Sequence, residues 1–133
     1  MGRRHFVVTN KSISEFRGNP YIADCPTRPL LDRIGDRWTV LIMGILGHGE
    51  ARFSELRRQI EGISQKMLTQ TLRGLERNGL VRRTVYPEVP VRVEYALTDA
   101  GRSLLEPLDA LQEWAIEHVH DVSAAQKAYD EAH

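Results

Sequence analysis

The segment SQKMLTQTLRGLERNGL, residues 64–80, has two opposite faces when it is placed on a helix. At about 100° per residue, Leu68, Leu72 and Leu75 share one side, which is typical of a helix packed on a core. A face that only meets water favours mixed Glu and Lys pairs. The opposite side instead carries amide, hydroxyl and cationic groups, which in proteins contact base edges and phosphates: Gln65, Lys66, Thr69, Gln70, Arg73 and Arg77. This face therefore predicts a surface that reads DNA.

The residues before this segment predict the first helix of a helix-turn-helix motif. Ser54 stands at an N-cap position ahead of an apolar pair spaced four residues apart, which favours a short helix over about 54–61. Gly62 ends that helix, and Ser64 caps the next one. Two helices joined by a short turn with a glycine are typical of this motif. The first helix also supplies two candidate phosphate contacts, Arg57 and Arg58.

An alternating pattern replaces the helical period after the segment. Residues 81–86 and 91–97 predict two strands with one buried face, joined by PEVP at 87–90. Prolines at both ends of the connection favour a stiff, projecting wing. Arg92 is predicted to contact phosphates together with Arg82 and Arg83, whereas Glu88 at the tip would repel a phosphate. The fold class is therefore mainly α with a small β-hairpin, a winged helix-turn-helix.

The flanking segments complete this organisation. A helix is expected from Pro29, followed by a core helix over 37–46, and Thr98 offers an N-cap for a long terminal helix that Pro107 kinks or splits. We divide the chain into an N-terminal arm at 1–24, a DNA-binding domain with a dimerisation helix at 25–121, and a C-terminal tail at 122–133. About the last ten residues are expected to fray.

Composition restricts the class of protein. The chain has 133 residues, 41% of them hydrophobic and 27% charged, which fits one soluble domain. No apolar run reaches the roughly 18 residues of a membrane span, no secretion signal is visible, and a single cysteine suits the reducing cytoplasm. The net charge is zero, but residues 52–92 carry nine basic and four acidic groups, while residues 99–133 carry two basic and eight acidic groups. Such asymmetry indicates a region that binds a polyanion.

Several motifs resemble the HxlR-type family of bacterial transcriptional regulators, which are related to the MarR group. They are IGDRWT, RFSELRR, ISQKMLTQTLRGLERNGLV and YPEVPVRVEYALT, within a match from about Cys25 to Val119. The resemblance implies a homodimeric repressor or activator on a two-fold operator, with 64–78 as the recognition helix and 87–91 as the wing tip. It also implies that the terminal helix forms the dimer interface with help from the N-terminal arm. Several members of the family sense electrophiles or oxidants through a cysteine at the position of Cys25.

The terminal helix independently favours a dimer. Its apolar stripe exceeds what so small a domain can cover, and its acidic exterior would be repelled by DNA. Two recognition helices would then enter successive major grooves about 34 Å apart. The residues predicted at the interface are Leu104, Leu108, Leu111, Trp114 and Ala115.

Cys25 has two open interpretations. A helix N-terminus and Arg28 would lower the pKa of its thiol, whereas Asp24 opposes this, so a sensor role is one interpretation. Without a second cysteine in the chain, a sensor needs an intersubunit disulfide or an adduct with a small electrophile or oxidant. The other interpretation is a small buried side chain at the dimer boundary.

Other chemistry finds little support in the sequence. EHVHD at 117–121 places His118 and His120 on opposite sides of a helix, so we predict no metal site, and no set of residues resembles a catalytic centre. We therefore expect neither a cofactor nor an enzyme. The leading prediction is a sequence-specific DNA-binding regulator that acts as a homodimer in the cytoplasm. The alternative is a winged-helix protein-interaction module that binds no DNA, which would more often expose apolar groups where this chain carries its basic residues.

Overall fold

A computed structural model describes residues 19–133, so most of the predicted arm lies outside the described residues. The chain divides into two compact units, one ending at Asp36 and one spanning Arg37–His133. In the first unit a turn leads into helix α1, Thr27–Ile34. The predicted start at Pro29 was two residues late. Pro29 lies within the first turn, where its missing N–H group has no intrahelical partner in any case.

The second unit has the predicted order of elements. It contains α2 (Arg37–Leu46), β1 (Ala51–Arg52), α3 (Phe53–Gln59), α4 (Gln65–Arg77), β2 (Val81–Tyr86), β3 (Arg92–Leu97), α5 (Asp99–Ser103) and α6 (Leu105–Ala132). The strands form an antiparallel sheet in the order β1-β3-β2. The prediction of a mainly α winged helix-turn-helix fold is therefore confirmed.

The core lies where α2 meets the helix-turn-helix motif and the sheet. Ile42, Met43 and Leu46 of α2 are at most 1% exposed, in agreement with a central helix. Each neighbouring element adds buried apolar side chains, namely Leu56, Leu68, Leu72, Leu75, Val81 and Leu97. Because both motif helices are anchored by full burial on one side, their outer faces are held in place by the core.

The two motif helices begin differently. The Ser64 hydroxyl accepts the N–H of Met67 at 3.0 Å, so the predicted cap of α4 is confirmed. The prediction that Ser54 caps α3 was wrong, because Arg52 occupies the N-cap position. Arg52 is the last residue of β1, and its backbone N–H donates to the Glu55 carboxylate at 2.7 Å. The helix therefore follows the strand directly.

Thr98 joins the end of the recognition segment to α5. Its hydroxyl donates to the carbonyl of Gly79 at 2.6 Å and accepts the N–H of Gly101 at 3.1 Å. Its backbone N–H donates to the Leu80 carbonyl at 3.1 Å. Gly79 has a φ of 75°, a left-handed conformation that favours glycine. Thr98 thus acts as the predicted N-cap and also fixes the turn that follows α4.

The terminal helix differs from its predicted end. The helical segment breaks at Leu104, between α5 and α6, which agrees with the expected split near Pro107. α6 then continues for 28 residues to Ala132, so the prediction that the last ten or so residues fray was wrong. Good helix formers such as the alanines of 123–132 sustain it. Within residues 19–133, no helix combines the length and apolar content needed to cross a bilayer.

Candidate nucleic-acid interface

Helix α4 separates its two faces as the sequence predicts. Leu68, Leu72 and Leu75 are at most 1% exposed and pack into the core. Thr71 is also buried, and its hydroxyl donates to the Met67 carbonyl at 2.8 Å. Of the predicted DNA-binding residues on this helix, Thr69 is half-buried and the others are exposed: Gln65, Lys66, Gln70, Arg73 and Arg77.

A cleft of about 510 Å³ runs between α4 and the sheet. Gln65, Thr69 and Arg73 line its helical wall, and Arg83 and Tyr95 belong to the sheet wall. Arg83 pairs across the strands with Tyr95, on the face of the sheet that is turned toward the core at Val81 and Leu97. That face continues past the core, so an arginine from the wing strand lies beside the polar side of α4.

The cleft was not fully predictable from the helix alone. Arg83 is visible in the sequence only as one of several wing arginines, and the strand register is needed to place it in the cleft. Glu76, the acidic residue at the edge of the α4 face, also lines this cleft. The cleft is therefore polar and predominantly cationic but holds one carboxylate.

Helix α3 extends the same surface. Arg57 and Arg58 are exposed, and with Gln65 they line a second, shallower depression next to the cleft. A third depression on α4 is lined by Gln65, Lys66, Thr69, Gln70 and Arg73. Shared lining residues make these depressions one continuous surface. We call it the basic face: Arg57, Arg58, Gln65, Lys66, Thr69, Gln70, Arg73 and Arg83.

Arg92 is engaged differently from the other predicted contacts. Its guanidinium forms ion pairs with Glu88, at 2.7 Å, and with Glu94. It also lies over the ring of Tyr86, 3.8 Å from the centroid. Arg77 is exposed at the C-terminal end of α4 and does not line the depressions described above. The structure thus brings together most of the predicted DNA-binding residues, with Arg92 paired inside the wing.

Cys25 is a buried thiol with polar neighbours in its own unit. Its Sγ lies 2.7 Å from the Thr27 hydroxyl and accepts the Asn19 backbone N–H at 3.2 Å. Burial raises the pKa of the thiol, but hydrogen bonds from Thr27, Asn19 and Arg28 outweigh it, so the pKa lies below the ordinary value. The structure therefore provides donors that stabilise a thiolate at Cys25.

The predicted interface residues, at Leu104 and on α6, occupy different environments. Leu108 is 6% exposed and packs within its own chain, and Leu104 is half-buried. Leu111 and Trp114 are more than half exposed, and Ala115 is exposed as well. Beyond them the apolar side chains Val119, Val122 and Tyr129 are also exposed. This part of α6 therefore presents an apolar surface that the described residues, 19–133, leave uncovered.

The histidines near the end of α6 form local contacts. The His118 ring stacks on Trp114 with centroids 4.2 Å apart, and its Nδ1 lies 2.8 Å from the Trp114 carbonyl. Among residues 19–133, no group of three or more His, Cys, Asp or Glu side chains is arranged to hold a metal ion. Both contacts of His118 are therefore with Trp114 of the same helix.

Known proteins share this fold. The profile of the HxlR-like helix-turn-helix family matches residues 33–123. An HTH-type transcriptional regulator of Methanothermobacter thermautotrophicus is 47% identical over 105 residues, covering 78% of this chain and 80% of the relative. The structure of the putative regulator ytfH from Salmonella typhimurium has a TM-score of 0.80 at 40% identity, covering 84% of this chain and 99% of that one.

A redox regulator shares the fold as well. The oxidised form of HypR gives a TM-score of 0.65 at 42% identity, covering 70% of this chain and 96% of that one. The relatives are transcriptional regulators and not enzymes, which confirms the expected absence of an enzymatic role. From the winged helix-turn-helix fold, the profile match and these identities, we conclude that the chain belongs to the HxlR-like helix-turn-helix family of transcriptional regulators.

Proposed function

We propose that this regulator binds double-stranded DNA in the cytoplasm as a homodimer, with sequence specificity for a two-fold operator. Helix α4 enters the major groove, where Gln65, Thr69, Gln70 and Arg73 reach base edges. Lys66, Arg57, Arg58 and Arg77 contact phosphates, which sets affinity and register. The observation that carries the proposal is the composition of the basic face, since its members on α4 are exposed or half-exposed while the opposite side of the helix is fully buried.

The homodimer rests on the exposed apolar surface of α6. Leu111 and Trp114 are 55% and 54% exposed, although both are large apolar side chains. At a rise of about 1.5 Å per residue, the 28 residues of α6 extend for about 42 Å. Pairing of this helix with its counterpart removes the apolar surface from water. The helix carries seven acidic side chains and one basic side chain, so it points away from the duplex.

Binding is tested first on the region upstream of the regulator's own gene. Fluorescence anisotropy with a labelled duplex measures affinity for that region and for a scrambled duplex of the same composition. Arg73→Ala is expected to weaken binding to the specific duplex by about 1–3 kcal/mol for each half-site, which is a factor of roughly 5 to 150. Lys66→Ala is expected to weaken binding to both duplexes and to reduce the slope of log K against log salt by about 1.8, because the dimer loses two phosphate contacts.

Arg102→Ala is the matched control. Arg102 is an exposed arginine of α5 within the acidic part of the chain and outside the basic face. It should leave both affinities unchanged. Equal losses in the Arg73 and Arg102 variants would show that only net charge matters, and no duplex binding by the native protein would favour the interaction-module alternative.

We further propose that Cys25 makes DNA binding responsive to electrophiles or oxidants. The proposal is supported by the hydrogen bonds that lower the pKa of its thiol and by the similarity to HypR, a redox regulator. Two Cys25 thiols from two protomers lose two electrons and two protons to an oxidant such as diamide and form a disulfide. A quinone instead adds to one thiolate, with formation of a C–S bond and protonation of the quinone oxygen.

The sensor is tested by release of DNA. Diamide or a quinone is added to the DNA complexes of the native protein and of Cys25→Ser, and anisotropy follows dissociation. Release from the native protein and retention by the variant are expected. Equal release from both proteins would assign the effect to another group.

A further inference from the structure

The guanidinium group of Arg92, in the wing, contacts residues of the same chain on three sides. The guanidinium donates from Nη2 to the Glu88 carboxylate at 2.7 Å and from Nη1 to Glu94. It covers the ring of Tyr86, its cross-strand partner, at 3.8 Å. The side chain of Arg92 is only 24% exposed. Both edges of its planar fork and one of its flat sides are thus in use, which leaves little of it for a DNA phosphate.

The same contacts cancel the charge at the wing tip. The hydrogen bond from Arg92 holds the pKa of Glu88 below its usual range, so this carboxylate is ionised and paired. The Glu94 carboxylate also lies 4.0 Å from the Arg52 guanidinium. Two cations and two anions therefore form one cluster with no net charge. Glu88, which by itself would repel a phosphate, has its counter-ion inside the wing.

The end of the hairpin is apolar. Val89 is fully exposed and Val91 is 64% exposed, and both stand next to Pro90 at the tip. The cation closest to them in sequence, Arg92, is drawn back over Tyr86. The tip consequently presents apolar side chains and a neutralised carboxylate, whereas the basic face presents its arginines to solvent.

We propose that Arg92 is a positioning residue that orders and neutralises the wing tip, in place of the phosphate contact that the sequence predicts. This inference rests on the proposed function, since it assigns how the wing meets DNA. Arg92 ties the loop residue Glu88 to the strand residue Glu94, and so fixes the tip relative to β3. The wing tip then approaches the duplex as an uncharged element and releases no counterion of its own.

The geometry requires the guanidinium group. Arginine contacts two carboxylates through a planar fork and stacks on an aromatic ring at the same time, whereas the lysine ammonium is a point charge. Arg92→Lys therefore preserves the charge and loses the clamp, while Arg92→Met loses both. A phosphate contact, by contrast, does not require a guanidinium group, because a lysine ammonium also binds a phosphate.

The first test needs no DNA. Amide hydrogen exchange of the native protein, Arg92→Met, Arg92→Lys and Glu88→Gln is followed in residues 81–97, with residues 65–77 as the internal control for folding. Exchange at 86–92 is expected to become about tenfold faster in all three variants, with no change in α4. The double variant Glu88→Gln/Arg92→Met should be no faster than the faster single variant, because both changes break one clamp. Native exchange rates in Arg92→Met, or additive effects in the double variant, would overturn the proposal.

The second test uses a fluorescein-labelled mixed-sequence duplex. Arg92→Met and Arg92→Lys are both expected to weaken binding severalfold, with the slope of log K against log salt unchanged. Arg57→Met is the matched control for a phosphate contact and should reduce that slope by about 1.8, because the dimer loses two contacts. A reduced slope in Arg92→Met that Arg92→Lys restores would overturn the proposal in favour of a phosphate contact. Native protein that does not bind the duplex would overturn the proposed function, while hydrogen exchange still decides the clamp.

Discussion

Gly101 lies so close to the chain after the recognition helix that its replacement by alanine gives a sharp test of the packing. A Cβ atom at Gly101 would lie 2.0 Å from the Leu80 carbonyl oxygen and 3.0 Å from its carbonyl carbon. Favourable contacts need about 3.5 Å, so α5 or Leu80 must move by about 1.5 Å. Both neighbouring atoms belong to the backbone, so no side-chain rotation relieves the clash.

The cost follows from three contributions. Overpacking of this severity costs about 3 kcal/mol. The displaced Leu80 carbonyl also loses the hydrogen bond from the Thr98 N–H, which contributes about 1 kcal/mol. Alanine in place of glycine in a helix offsets about 1 kcal/mol. Gly101→Ala is therefore expected to lower the free energy of unfolding by about 3 kcal/mol, and Tm by roughly 10 °C.

Gly44→Ala is the matched control, since it is the same substitution in another helix of the same unit. A Cβ at Gly44 meets nothing nearer than the Gln112 side-chain oxygen at 4.0 Å. Helix propensity then dominates, and the variant should gain up to about 1 kcal/mol. Urea denaturation of both variants, followed by circular dichroism at one fixed protomer concentration, measures the two effects. Native stability in Gly101→Ala would refute the close approach of α5 and Leu80.

Three further outcomes are expected. Thr27→Val removes a hydrogen bond to Cys25 Sγ, so the thiol pKa rises and the pH profile of its alkylation by iodoacetamide moves to higher pH; an unmoved profile would remove Thr27 as the cause. Ser64→Ala removes the cap on the Met67 N–H and should lower the free energy of unfolding, measured by urea denaturation, by about 1 kcal/mol. An unchanged free energy of unfolding would contradict a stabilising role for this cap. Leu111→Asp places a charge on the exposed stripe of α6, so sedimentation should detect monomers at concentrations where the native protein is dimeric; an unchanged dimer would place the interface elsewhere.

Sequence periodicity was sufficient to predict the helices and strands that bury one face. The three leucines of α4 and the alternation in β3 each follow from one local period, and the structure buries Leu68, Leu72, Leu75, Tyr95 and Leu97 accordingly. The cap at Ser64 was also predictable, because this serine stands between Gly62, in the turn after the preceding helix, and the apolar period of α4.

Contacts that depend on strand register or on the path of a loop were not predictable from periodicity. The placement of Arg83 in the cleft depends on the register of β2 against β3. The pairing of Arg92 with Glu88 depends on the path of the wing loop, which the prolines of 87–90 indicate only as stiff. Ser54 looked like a cap because local pattern cannot detect that β1 pairs with β3 and carries Arg52 into the N-cap position.

Strand β3 has a consequence for how such a regulator can be switched. It pairs with β1, which leads directly into α3, and with β2, which follows α4, and Thr98 at its end bonds to Gly79. One strand thereby links the elements that would touch the duplex, namely α3, α4 and the wing. In the proposed dimer, an effector that leaves these linked elements unchanged would control operator binding through the spacing between the two recognition helices. A small rotation at α6, far from the bases, would then change whether both recognition helices fit one operator.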